Sequence, residues 1–118
     1  MIQLRGVEIA GTGHYLPEKI LTNEYFEKIV DTTDEWITSR TGMKKRHVVV
    51  EGENNSDIAV KAAQNALDMA GLKPEDIDMI LFGTVTPDMV FPATACLVQN
   101  KLGCRTIPAL DFEVACSG

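Results

Sequence analysis

Cys116 has the neighbours a nucleophilic thiol needs. It stands between Ala115 and Ser117-Gly118, directly after Asp111-Phe112-Glu113-Val114, which reads as an apolar strand running into a small-residue turn. On a strand-to-helix corner a sulfur is exposed with the first amides of the next helix behind it. Unpaired N–H groups and the helix macrodipole favour a thiolate there. No such helix follows within the 118 residues, so a second reading, a buried and inert thiol, stands beside the first. A second chemical pair is Trp36 and Arg40. In Asp31-Thr32-Thr33-Asp34-Glu35-Trp36-Ile37-Thr38-Ser39-Arg40-Thr41-Gly42, Thr33 can cap, Asp34 and Glu35 suit a first turn, and Gly42 suits a stop. The spacing of four puts an indole and a guanidinium on one helix face, able to stack on a purine and to hold a phosphate. The plainer alternative packs the sole tryptophan on the core, with Arg40 covering it and pairing with a carboxylate such as Glu35. Phe91, in the loop Thr86 to Pro92, reads as a pocket wall, a partner-facing residue, or an aromatic folded back on its own core.

Other candidates carry less. His14 beside Gly13 and Tyr15 reads as structural before it reads as ligand or base. Cys96 and Cys104 read as small core residues. With His14 and His47 the only histidines and no Cys-x-x-Cys, no metal site is expected. Gly11-Thr12-Gly13 lacks the spacing and Lys-Ser/Thr of a phosphate loop, but its glycines let backbone pass close to another element. The net charge of -6, from 11 basic and 17 acidic residues, argues against a nucleic-acid surface. The short run Lys44-Lys45-Arg46 is too small to reverse it and reads as a solvated edge. Three cysteines fit a reducing compartment, so a cytoplasmic location is expected. No apolar run reaches membrane-spanning length, and no secretory leader pattern opens the chain.

The elements that must position these residues follow an α/β pattern. Val7 to Ala10 reads as a strand ending at Gly11. An irregular stretch leads to Thr22-Asn23, which cap a short amphipathic helix through Val30, and Met43 to Val50 contains an extended piece. Ser56 reads as the cap of a helix from Asp57 to Ala70, closed by Gly71. Its small-residue stripe of Ala59, Ala62, Ala63, Ala66 and Ala70 implies close packing on a sheet. Ile77 to Val85 reads as a parallel strand covered on both faces, followed by a functional loop at its carboxyl end. A helix over Ala93 to Leu102, ending at Gly103, then leads to a strand from Thr106 to Phe112, with Pro108 near its beginning. The wiring is β-α-β.

Four stretches carry a resemblance: Gly11-Thr12-Gly13-His14-Tyr15-Leu16-Pro17, Asp31 to Gly42, Phe91-Pro92-Ala93-Thr94-Ala95-Cys96, and Ala115-Cys116-Ser117-Gly118. Together they make the chain resemble the N-terminal part of a β-ketoacyl-acyl-carrier-protein synthase III, the thiolase-fold enzyme that initiates type II fatty-acid synthesis. The Asp34-Glu35-Trp36 segment separates this type from the elongating synthases. The resemblance implies a layered αβαβα architecture, with residues 1–118 as the first part of its N-terminal half.

It also implies roles. Cys116 matches the nucleophile that takes the acetyl group of acetyl-CoA; malonyl-acyl carrier protein then decarboxylates and attacks the acyl-enzyme, giving acetoacetyl-acyl carrier protein, CO2 and CoA. Thr32, Trp36 and Arg40 match residues at the CoA entrance, and Phe91 matches a contact to the acyl pocket of the opposite subunit in a homodimer. Acetyl-CoA is a substrate, so no cofactor is implied. The histidine and asparagine that stabilise the enolate, and the basic docking residues for the acyl carrier protein, come from a later part of the family's sequence. The chain alone is therefore expected to be inactive without the remainder of its polypeptide, whether that is a separate chain or the rest of a cut protein. Two other classes of reading are a related thiolase-fold acyltransferase with a different acyl donor, and a non-catalytic CoA-binding half-domain. No nucleic-acid or membrane partner is expected.

Overall fold

Two short pieces of sheet frame the chain, one antiparallel and one parallel, each in its own unit of the fold. The computed structural model describes residues 6–113 and 115–117. Val114 and Gly118, which complete the terminal stretch of the sequence reading, lie outside the described residues.

The unit Leu16–Glu53 contains β1 (Lys19–Thr22), α1 (Asn23–Glu27), α2 (Asp34–Thr41) and β2 (Lys45–Val48). β1 and β2 pair antiparallel, Lys19 opposite Val48 and Thr22 opposite Lys45. The sequence of residues 18–21 predicts no regular element. Lys-Ile-Leu-Thr shows no alternation, and its ladder comes from a partner some 25 positions away along the chain. α1 is shorter than its pattern implies: it stops at Glu27, and Ile29 and Val30 are exposed in the turn beyond. α2 follows its local signals. Thr33 accepts a hydrogen bond from the Trp36 N–H at 3.1 Å, and Gly42 closes the helix at φ 72°, a left-handed conformation that glycine adopts without a Cβ penalty. Asn23, 2% exposed, ties the unit together, donating to Asp34 Oδ1 at 2.7 Å and to the Met43 carbonyl at 2.9 Å. Arg46 is not a solvated edge residue. Its guanidinium lies 4.6 Å from the Phe26 ring centroid and donates to Asn23 Oδ1.

The other unit, Met1–Tyr15 with Asn54–Gly118, contains α3 (Asn55–Ala70), β3 (Ile80–Gly83), α4 (Thr94–Leu102) and β4 (Ala109–Phe112). The strand expected over Val7 to Ala10 is not formed. Val7 and Ile9 are exposed, and among the described residues no neighbour supplies a ladder, without which an apolar alternation does not become a strand. Beyond it, Gly11 and Gly13 cross α3 backbone to backbone: a Cβ on Gly11 would lie 2.5 Å from the Ala66 carbonyl oxygen. Asn65 clamps the crossing by donating to the His14 carbonyl at 2.8 Å. The alanine stripe therefore serves a glycine segment, and α3 packs on α4. On its far side, Ala59, Ala63 and Leu67 border an apolar groove of about 420 Å³ together with Ile80 and Val98. The helix begins one residue before Ser56, and its cap is Asn54, whose N–H donates to Asp57 Oδ2 at 2.9 Å. Asn54 followed three residues later by Asp57 is a signal that would have located it.

β3 and β4 are parallel, Ile80 opposite Ala109 and Gly83 opposite Phe112, with α4 as the crossover, so the β-α-β wiring is formed. The Pro108 carbonyl accepts from the Ile80 N–H at 2.9 Å, which places the proline at the strand entrance as expected. The expectation of cover on both faces fails. Asp111 faces α4, while Leu81, Leu110 and Phe112, on the other side by alternation, are 59, 51 and 42% exposed.

Asp111 holds the N-terminus of α4. Its carboxylate accepts from the Thr94 N–H at 2.6 Å and the Ala95 N–H at 2.7 Å, satisfying two donors the helix cannot pair internally. Thr94 and Ala95 are fully buried, so water cannot replace the lost acceptor. Asp111→Ala is expected to cost about 2 kcal/mol in urea unfolding of the protein that carries this chain. An unchanged midpoint would remove Asp111 from the cap.

Candidate active site

The parallel pair ends where the cysteine sits. Ala115–Ser117 form a single 3₁₀ turn, Ala115 takes a left-handed φ of 47°, and Cys116 is exposed. An alanine in that region costs roughly 1 kcal/mol, the kind of local strain that a sharp corner carries. Cys116 and Ala115 line a hollow of about 460 Å³ with Gly83, Thr84, Val85 and Thr86, the end of β3 and the start of its following loop. The thiol thus lies at the carboxyl end of the parallel strands, the position from which open α/β sheets work. Cys116 is exposed among the described residues, unlike the buried thiol of the inert alternative. Cys104 is the contrasting case, where desolvation, followed by the charge of Glu75, pushes the thiol pKa up and keeps it protonated.

Sequence reasoning missed the polar residues that hold the wall of this hollow. Asn55 donates to Thr84 Oγ1 at 2.8 Å and to the Thr86 carbonyl at 3.0 Å. Asp88 accepts from the Ser56 N–H at 2.9 Å and from its hydroxyl, while its own N–H donates to Thr94 Oγ1 at 3.2 Å. Lys101 completes the set, donating to Ser56 Oγ and to Asp57 Oδ1, each at 2.6 Å. Ser56 and Thr94 are fully buried. The only sequence signal was the run of polar residues opening an otherwise apolar helix. At the far end of the same loop Phe91, 87% exposed before a cis Phe91–Pro92 bond, does not fold back on its own core.

In the unit Leu16–Glu53, α2 presents Trp36 and Arg40 together, the guanidinium carbon 5.9 Å from the indole centroid. Of the plainer alternative, the guanidinium over the indole is present, and the packing on the core and the carboxylate partner are not found among the described residues. Trp36 is 57% exposed, and among the described residues no carboxylate pairs with Arg40. An exposed indole and an unpaired guanidinium side by side can receive a flat ring and an anion. Thr32 stands just ahead of the α2 cap, its Oγ1 buried and without a hydrogen-bond partner among the described residues. His14 is exposed, and His47 Nδ1 lies 2.6 Å from the Pro17 carbonyl, a structural bond.

Two carboxylates are held below their ordinary pKa. For Asp34 the first cause is the Asn23 side-chain hydrogen bond and then Lys44, 3.0 Å away; for Asp57 it is Lys101 and then the Asn54 N–H. A folded-state pKa below the unfolded one adds stability that is fully present above the unfolded value, roughly 3.9, and is lost as pH falls through the folded value. The unfolding midpoint is therefore expected to drop between about pH 4 and lower values. Asp34→Asn is expected to flatten that drop, and an unaltered acid limb would contradict the assignment.

The chain, with its parallel β-α-β pair, matches solved structures of thiolase-fold condensing enzymes and covers a partial, N-terminal portion of that fold. Within that class it is similar to β-ketoacyl-acyl-carrier-protein synthase III. It is 58% identical over 110 residues, 93% of its length, to the synthase III of Caldanaerobacter subterraneus subsp. tengcongensis. It matches the crystal structure of 3-oxoacyl-acyl-carrier-protein synthase III from Aquifex aeolicus with a TM-score of 0.90 and 51% identity, over 96% of this chain and 36% of that one. For the synthase III of Thermus thermophilus the values are 0.80 and 42%, over 90% and 33%. No family model matches the chain. The chain spans about a third of the length of the curated relatives it matches. Among the described residues, no helix is long and apolar enough to cross a membrane.

Proposed function

We propose that the chain is the nucleophile-bearing N-terminal part of an initiating condensing enzyme of type II fatty-acid synthesis. The observation that carries the reading is the exposed Cys116 on a left-handed corner at the carboxyl end of β3 and β4. The Cys116 thiolate attacks the carbonyl of acetyl-CoA, CoA leaves as its thiolate, and an acetyl thioester forms on Cys116. Malonyl-acyl carrier protein loses CO2, and the resulting carbanion attacks that thioester. The product is acetoacetyl-acyl carrier protein, and the Cys116 thiolate is released for another turn. A thiolate suits both halves because it is a good nucleophile and a good leaving group.

Trp36 stacks on the adenine of CoA, Arg40 pairs with its phosphates, and Thr32 lines the entrance. The exposed indole and the unpaired guanidinium support these roles. Phe91, exposed at its loop tip, contacts the acyl pocket of the opposite subunit in a cytoplasmic homodimer. Residues 1–118 form an incomplete half-domain, and the remainder of the polypeptide supplies the enolate-stabilising residues, the docking surface for the carrier protein and the layer over Leu81, Leu110 and Phe112. The open apolar face and the one-third span of the relatives support that division.

The test uses the complete enzyme that carries this chain. Label from acetyl-CoA is expected in a carrier-protein-bound β-ketoacyl product only when malonyl-acyl carrier protein is present. Trp36→Ala is expected to raise the KM for acetyl-CoA roughly tenfold with little change in kcat. Absence of labelled product would overturn the reading; an unchanged KM would remove Trp36 from the CoA site alone.

A further inference from the structure

The hollow at Cys116 is walled by Thr84, Val85 and Thr86, three residues of the loop that follows β3. That loop has no ladder to hold it beyond Thr84, whose N–H donates to the Phe112 carbonyl at 3.0 Å. Its shape is fixed instead by the first turn of α3. Asn55 spends both amide hydrogens on the wall, one on Thr84 Oγ1 and one on the Thr86 carbonyl, and Thr84 Oγ1 accepts a further bond from the Thr86 N–H at 3.1 Å. Two residues on, Asp88 is clamped by the Ser56 N–H and hydroxyl, and the hydroxyl is itself held by Lys101. The Asp88 N–H then ties the loop to Thr94 at the start of α4. The anchors at 84, 86 and 88 alternate along the loop and all trace to α3 or α4. Neither Asn55 nor Asp88 lines the hollow.

We propose that Asn55 and Asp88 are positioning residues for acyl-group selection: the first turn of α3 sets the width of the hollow at Cys116 and so which acyl groups the thiol accepts. This rests on the reading of Cys116 as the acyl carrier. Loss of an anchor lets the wall relax without touching the thiol. A hollow that discriminates by fit changes its preference when a wall moves by a fraction of a bond length, since one methylene of misfit alters selection by about tenfold or more.

The experiment uses the complete enzyme and measures the rate of Cys116 acylation by acetyl-CoA and by hexanoyl-CoA, with iodoacetamide alkylation of Cys116 and the unfolding midpoint recorded alongside. Asn55→Ala, which leaves a good helix former in the first turn, is expected to change the acetyl-to-hexanoyl ratio about tenfold while alkylation stays within about twofold. Asp88→Asn, an isostere, provides a second variant that keeps the volume and weakens the clamp, and is expected to move the ratio in the same direction by less. A ratio unchanged in both variants overturns the proposal. So does a fall in acylation by both donors in proportion to lost stability, which is the signature of a merely structural role. Wild-type enzyme that accepts neither donor would instead overturn the acyl-carrier reading itself, and this proposal with it.

Discussion

Gly13→Ala is expected to destabilise the protein by about 3 kcal/mol or more. A Cβ at residue 13 would sit less than 3.0 Å from the Ala62 carbonyl oxygen and the Ala66 nitrogen, and 3.0 Å from the Asn65 carbonyl carbon. All three are backbone atoms of α3. No side-chain rotamer can relieve the overlap, so the segment 11–15 must lift from the helix and give up the Asn65 bond to the His14 carbonyl. Gly6→Ala is the control, because nothing lies within 4 Å of its Cβ position, and it is expected to stay within about 0.5 kcal/mol of the parent. Urea unfolding of the two variants side by side reads the difference. Equal midpoints would mean that the glycine segment does not cross α3 backbone to backbone.

Cys116→Ser is expected to lower condensation by roughly 10³-fold or more, and Cys116→Ala to abolish it together with the acyl-enzyme. A serine at the same corner keeps the geometry and loses the thiolate, so the size of the drop measures the chemistry and not the fold. Cys104→Ala provides the comparison. Its thiol is held protonated by desolvation and by Glu75, and its loss is expected to leave the rate within about threefold. A serine variant that retained most of the rate would shift the nucleophile elsewhere.

What could be read from the sequence was local. α2 was legible end to end because its cap, its acidic first turn and its glycine stop are all encoded within ten residues of one another, and each interaction closes inside that window. The parallel strands and the crossover helix were legible for the same reason, as apolar runs punctuated by Gly103 and Pro108. β1 was not, because its pairing depends on Lys45–Val48 and its own four residues carry no alternation. The Val7 to Ala10 stretch failed in the opposite sense: the alternation is present, and the neighbour that would turn it into a strand is not among the described residues.

The site divides along the same line. Cys116, Trp36 and Arg40 could be singled out as candidates because side-chain type and spacing allow a chemistry, though each also allowed a plain structural role, and the structure leaves all three accessible. Asn55, Ser56, Asp88 and Asp111 could not, since an asparagine at a helix start or an aspartate in an apolar strand acquires meaning only from the element it meets in space. Asp111 illustrates the difference. In the sequence it interrupts a strand; in the fold it caps the helix that crosses over that strand.

The measurement that bears most directly on the central claim is the intact mass of the complete enzyme after incubation with acetyl-CoA, taken under denaturing conditions that preserve a thioester. A gain of one acetyl group is expected, located on the peptide containing Cys116, absent in Cys116→Ala and discharged when malonyl-acyl carrier protein is added. A complete enzyme that stays unmodified, or one that gains the acetyl group equally in Cys116→Ala, would rule out Cys116 as the acyl carrier.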